Sequence, residues 1–172
     1  MAVGNLEFIN SFDSGTGNTS ISCDNVFSDK YSSYFVTLRA GFSTQGYTRL
    51  RFIDSAGAVE TSTTYDTAIL LLRSSTSFQQ RRLINNDAIE RINYTFNNAV
   101  GGNTSFYVHN PYDSSSYTFI QWQNGFESVG EMFGMKGIGV EKTTQTIRGF
   151  QIFSTSADIE NNKISVYGLA SN

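Results

Sequence analysis

The 172-residue sequence holds one proline, one cysteine and one histidine, and only 16% of its residues are charged. Each scarcity excludes something. Cys23 has no second cysteine, so no internal disulfide forms and stability rests on packing rather than on covalent staples. His109 stands alone, and a histidine-built metal centre needs two or more such ligands. Disordered chains are rich in charge and proline and poor in aromatics, whereas aromatics make up 14% of this chain. A net charge of −3 supplies no basic surplus to neutralise phosphates, so no nucleic-acid partner is expected. The longest aliphatic run, Ala68 to Leu72, is far too short for a membrane-spanning helix, and no membrane partner is expected either. Met1 to Asn5 shows no basic stretch leading into an apolar one. The expectation is a chain made in a cytoplasm without a signal peptide.

What fills the space is neutral polarity and rings: 22 Ser, 17 Thr and 15 Asn beside 14 Phe and 9 Tyr. The length allows one domain, residues 1–172, with one sizeable core. Its periodicity is that of strands. Ile21 and Cys23 alternate with serines and Asp24, and Tyr34, Val36, Leu38 and Ala40 alternate with Phe35, Thr37 and Arg39. Leu50 and Phe52 alternate with Arg49 and Arg51, and Phe106 and Val108 with Ser105, Tyr107 and His109. Period two places one set on each face of a sheet, apolar side inward. Less regular apolar runs at 6–12, 68–72, 117–122, 133–140, 147–153 and 164–169 are separated by turn-forming groups such as Gly101-Gly102-Asn103 and Asn110-Pro111-Tyr112-Asp113. Nine or ten such strands predict an all-β antiparallel sandwich, with a jelly roll as the expected arrangement. Residues 74–102 resist this pattern and read as one long connection with a helical turn or an edge strand, because Ile84, Ala88 and Ile92 recur every fourth position.

The sequence contains no nucleophile elbow, phosphate loop or Cys-x-x-Cys pair, and no enzyme is expected. No catalytic residue, metal ligand or cofactor is assigned. By parity Cys23 belongs to the core, and Asp13 to Asn18 reads as a glycine-rich hairpin rather than a calcium loop, since the later bidentate carboxylate is missing. Glycoside cleavage needs two carboxylates roughly 5–9 Å apart, and the candidates are Glu127, Glu131 and Asp113. Arg73, Arg81, Arg82 and Arg91 fall within nineteen positions, with Phe78 and Ile84 as apolar anchors. Arginine is enriched at interfaces, so this set is the candidate partner-docking surface. Tyr107, His109, Tyr112, Asp113 and Tyr117 surround the Pro111 turn and combine apolar plates with polar handles, the chemistry of a glycan contact. Trp122 is assigned to the core with its N–H bonded.

Several segments resemble structural proteins of tailed phages that infect marine cyanobacteria and related hosts. They are Ser20 to Phe27, Tyr31 to Val36, Leu50-Arg51-Phe52, Asn110-Pro111-Tyr112 with Ser116 to Phe119, Gly149-Phe150, and Ile164 to Leu169. The resemblance spans most of the chain, leaves out Arg73 to Gly102, and brings no catalytic residues. It implies a non-enzymatic jelly-roll-like module on the virion, as capsid decoration or as part of the tail and its fibres. The partners it implies are other capsid or tail proteins and further copies of the chain as a homo-oligomer, with a host-surface glycan as the alternative.

Overall fold

A computed structural model describes residues 6–13, 15–75, 77–95, 102–128 and 130–170. In chain order the strands are β1 (Leu6–Phe12), β2 (Ser20–Cys23), β3 (Ser33–Phe42), β4 (Gly46–Asp54), β5 (Tyr65–Arg73) and β6 (Gln79–Asn86). They continue with β7 (Ile89–Thr95), β8 (Gly102–His109), β9 (Thr118–Ser128), β10 (Glu131–Glu141), β11 (Ile147–Phe153) and β12 (Ile159–Leu169). No helix occurs among the described residues. Every pairing is antiparallel, within an eight-stranded sheet β1-β12-β3-β8-β9-β10-β5-β6 and a four-stranded sheet β2-β11-β4-β7. The chain is a β-sandwich, as the alternation predicts.

The inward set of each strand forms the core. Tyr34, Val36, Leu38, Phe106, Val108 and Ile120 from the large sheet meet Ile21, Cys23, Leu50, Phe52, Phe150 and Ile152 from the small one, all buried. Fully burying an aliphatic or aromatic side chain contributes roughly 1.5–3 kcal/mol. Rings lock the two layers at set geometries: Phe106 meets Phe150 edge-on at 5.7 Å, and Phe27 lies 4.6 Å from Tyr34. Buried hydroxyls are used as well. Tyr65 Oη, on the large sheet, accepts the Phe52 amide of the small sheet at 3.0 Å and donates to the Glu60 carbonyl at 3.2 Å.

Residues 74–102 are not one connection. They contain β6, at the edge of the large sheet, and β7, at the edge of the small one; the edge strand foreseen there is β6, and no helical turn forms among the described residues. A four-residue spacing is also an even spacing, so Ile84, Ala88 and Ile92 fit strands as well as a helix. Two interruptions hid the alternation: Asn85 and Arg91 have φ of 52° and 54°, and pairing shifts register beside each of them. The consequence is a widened sheet. Hairpin β5–β6 is inserted between β4 and β7, and hairpin β9–β10 between β8 and β11. The two hairpins join through β10 and β5 and double the large sheet to eight strands.

Across this insertion Trp122 of β9 lies over the backbone of its register partner Gly137 on β10. A Cβ at position 137 would sit 2.1 Å from the indole ring, which is 4% exposed. Trp122 is in the core, but its Nε1 has no hydrogen-bond partner among the described residues, contrary to the expectation of a bonded N–H. Contact with the glycine strand holds the ring instead. Gly137→Ala is expected to lower the unfolding free energy by about 1–3 kcal/mol, the usual cost of overpacking. Urea denaturation measures this, and an unchanged midpoint would contradict the close approach.

Candidate functional site: the outer face of the eight-stranded sheet

Pairing register places one outward residue from each strand of the large sheet in a single row. The row runs Phe8, Tyr167, Phe35, Tyr107, Gln121, Ile138, Ala68 and Arg82, from β1 to β6. Its first half is a chain of rings, with Phe8–Tyr167 at 5.6 Å, Tyr167–Phe35 at 6.3 Å and Phe35–Tyr107 at 5.1 Å. Two residues further along each strand lies a polar row, Ser165, Thr37, Ser105, Gln123, Lys136, Leu70 and Gln80. Exposed Leu6, Phe8, Leu70, Tyr107, Phe119, Met132 and Ile138 all fall on this face by register and alternation. The outward side of the small sheet carries Arg49, Arg51, Ser22 and Gln151. Large exposed apolar groups gathered on one face mark a contact surface. The surface is dished: a groove of about 1240 Å³ runs between Phe35, Tyr107, Gln121, Gln123, Lys136, Ile138 and Arg82.

His109 lies at one end of this face. Its Nδ1 is 2.9 Å from Ser33 Oγ and its Nε2 is 3.1 Å from Gln121 Nε2, while the ring stacks on Tyr107 at 6.1 Å. An amide nitrogen only donates, so Nε2 accepts and the proton sits on Nδ1, toward Ser33. Partial burial pushes the imidazole below its ordinary pKa. The ring is held between the Ser33 hydroxyl and the Gln121 amide, and among the described residues no carboxylate hydrogen-bonds to it.

The sequence-derived candidates separate in space. Tyr107 and His109 lie on the large face, and Tyr117 follows them, exposed and in phase with exposed Phe119. Tyr112 and Asp113 belong to the β8–β9 turn, where Asp113 accepts bonds from the Ser115 amide and hydroxyl at 2.8 and 2.6 Å. Asp113 precedes β9 and Glu127 is its penultimate residue, 14 positions and about 30 Å of strand away, so they cannot flank one bond. Glu127 accepts the Gly130 amide at 2.7 Å, and Glu131 is held by Arg73 at 2.8 Å and Ser75 at 2.5 Å. Of the arginine group, Arg73 is spent on Glu131 and the Phe133 ring. Arg91 belongs to the other sheet, over Tyr47 and Tyr94. Phe78 leads into β6 and Ile84 lies on it, 67% and 66% exposed, with Arg81 and Arg82 on opposite faces of that strand. The glycine loop is tied to itself and to β12, through Asp13 Oδ1 to the Gly15 amide and Asn162 Nδ2 to the Gly15 carbonyl; Ser14 lies outside the described residues.

Alternation alone did not reveal the charge network on the small sheet. Arg49 and Arg51 both bind Asp87, and Arg49 Nε lies 2.7 Å from Glu90. Both guanidiniums also stack on the Phe153 ring, at 5.2 and 4.4 Å. Asp87 and Glu90 therefore pair across to β4, not with the neighbouring arginines of their own segment. Two arginines at i and i+2 on one strand face, Arg49 and Arg51, are the signal that could have indicated a shared acidic partner. Burial raises the Asp87 carboxyl, but the two guanidiniums outweigh it and hold the group below its usual range.

No family profile matches the sequence, and no curated protein does. Among solved structures the chain is similar to a human SPRY domain at 10% identity, covering 93% of this chain and 96% of that one with a TM-score of 0.26. The attachment invasion locus protein Ail of Yersinia pestis is 9% identical over 70% of this chain and 99% of its own, with a TM-score of 0.20. A chain of infectious bursal disease virus, Gx strain, is 12% identical, covering 98% of this chain and 39% of that one with a TM-score of 0.18.

Two outcomes follow from the site. A carboxyl held low contributes stability that is present above the unfolded value near 3.9 and is lost as pH falls through the lower folded value. Asp87→Asn should therefore cost about 1–3 kcal/mol at pH 7, between the exposed and buried limits for ion pairs, and almost nothing near pH 2. Denaturation at the two pH values measures it, and an equal loss at both would contradict an ionic role. A histidine held low works in the opposite sense. As pH falls below about 6.5 the unfolded chain takes up its proton first and this group withdraws stability. NMR of the single imidazole should give a midpoint below 6.5; one at or above it would contradict the effect of burial on this ring.

Proposed function

We propose that this chain is a non-enzymatic structural protein of a tailed-phage virion, a decoration of the capsid or a module of the tail and its fibres, docked through its folded surface. The observation that carries the reading is the strand order. β1-β12-β3-β8 faces β2-β11-β4-β7, and the chain alternates between the sheets as two interlocked Greek keys do. We read this as a jelly roll with two inserted hairpins, an architecture common among capsid and lectin domains, and the link to function is by analogy. The segments resembling phage structural proteins, Ser20 to Phe27 and Ile164 to Leu169, supply β2 and β12 of that frame. Localisation on the virion, after synthesis in the host cytoplasm, is part of the same proposal.

The docking element is the edge strand β6. It has no second neighbour in the sheet, and Phe78, Arg81 and Ile84 stand out from it. Eight antiparallel strands leave β1 and β6 running in opposite directions, so β6 of one copy can pair antiparallel with β1 of the next. That geometry suits symmetric copies on a particle. A second reading, recognition of a host-surface glycan, is favoured by one feature: Tyr107 and Phe35 stand as apolar plates beside the amides of Gln121 and Gln123. The two readings meet at β6, whose Arg82 lines the groove.

The chain should appear in the mass spectrum of purified particles, and its absence would remove the virion assignment. Phe78→Ser with Ile84→Ser should reduce incorporation several-fold while shifting the melting temperature by less than about 2 °C, because both side chains are exposed. Full incorporation of this double variant would show that β6 is not the docking edge.

A further inference from the structure

Four cations line the outer face without a partner. Lys163, Arg39, Lys136 and Arg82 are exposed, and none forms an ion pair among the described residues. Register places them on one diagonal. Lys163 of β12 is directly opposite Arg39 of β3, Lys136 of β10 lies one row further along, and Arg82 of β6 one row beyond that. From β12 to β6 the stripe crosses six strand spacings, about 29 Å. Its path is a depression. One groove is lined by Arg39, Lys163, Asn103, Gly125, Gln123 and Lys136, and it continues through Lys136 and Gln123 into the groove that holds Tyr107 and Arg82. The carboxylates of the face lie at its margins: Asp66 is taken by Lys142, Glu127 by the Gly130 amide, and Glu160 sits beyond the bulge of β12.

A protein of net charge −3 has fifteen carboxylates with which to neutralise this stripe, and it places none on it. Like charges directly opposite across two strands are destabilising, as Lys163 and Arg39 are here. An anionic occupant relieves both. Resting on the glycan reading above, we propose that the groove binds an acidic polysaccharide, laid across the strands with its carboxylate or sulfate groups on the four cations. Duplex DNA carries a charge about every 1.7 Å of its axis, far denser than four cations in about 29 Å. An extended acidic peptide adds along a sheet edge rather than across a sheet face. A sugar polymer with spaced charges matches the cations, the amides of Asn103, Gln121 and Gln123 match its hydroxyls, and Phe35 and Tyr107 offer rings to its apolar faces.

The test measures binding of the full chain to polygalacturonate, heparin, neutral dextran and oligo(dT) at low and at high salt. Polygalacturonate or heparin should bind, and binding should fall at least tenfold in 0.5 M salt. Arg39→Gln with Lys136→Gln should also weaken it at least tenfold, while Arg39→Lys with Lys136→Arg should bind as the parent does. Equal binding of dextran would overturn the anionic specificity and leave the glycan reading standing. No binding of any polysaccharide would overturn both. Tighter binding of oligo(dT), or unchanged affinity of the glutamine pair, would show that the stripe does not select an acidic sugar polymer.

Discussion

The widths of the two sheets do not match, and much of the molecule follows from that mismatch. Four strands cover one side of the core and eight lie on the other, because two hairpins that begin and end in the frame both add to the same sheet. A twisted eight-stranded sheet has more surface than a four-stranded partner can bury. Its inner residues still pack, through Met135, Ile69 and Trp122, but its outer face is left as one broad dished surface and its two edges as open strands. The aromatic row, the polar row and the stripe of unpaired cations all lie on surface that the insertions created or extended.

The small sheet is closed in a different way. Its outward charges are absorbed internally: Arg49 and Arg51 share Asp87, approach Glu90 and lie on Phe153. Desolvating that network costs free energy, and shared hydrogen bonds and ring contacts offset the cost. The contrast between faces is therefore chemical as well as geometric. Arg49 and Arg51 on the small sheet have carboxylates placed for them, and Lys163, Arg39, Lys136 and Arg82 on the outer face of the large sheet do not. The edge strand β6, proposed above as the docking element, borders the grooved face and contributes Arg82 to it.

Strand period carried most of what could be read from the sequence. Tyr34, Val36, Leu38 and Ala40, or Phe106 and Val108, need no tertiary information to be placed inward, and the structure buries them. Residues 74–102 were harder for a local reason. Asn85 and Arg91 take left-handed backbone conformations, each throws the alternation out of phase, and the two short strands then look like one irregular connection. Tyr107 and His109 were visible as a pair because they share one strand face. The basic stripe was not visible at all. Lys163, Arg39, Lys136 and Arg82 are scattered over 125 positions of sequence and meet only through strand order, which alternation does not encode. The reverse held for Arg73, Arg81, Arg82 and Arg91, close in sequence and divided between two sheets by the fold.

The central claim is a division of labour between β6 and the face of the large sheet. Oxidative footprinting of purified particles, set against the free chain, tests it most directly. Phe78 and Ile84 should be protected in the particle, while Tyr107, Phe119, Met132 and Ile138 oxidise as they do in the free chain. Protection of Tyr107 and Ile138 with Phe78 and Ile84 left open would contradict it, because the broad face would then be the docking surface and β6 a free edge.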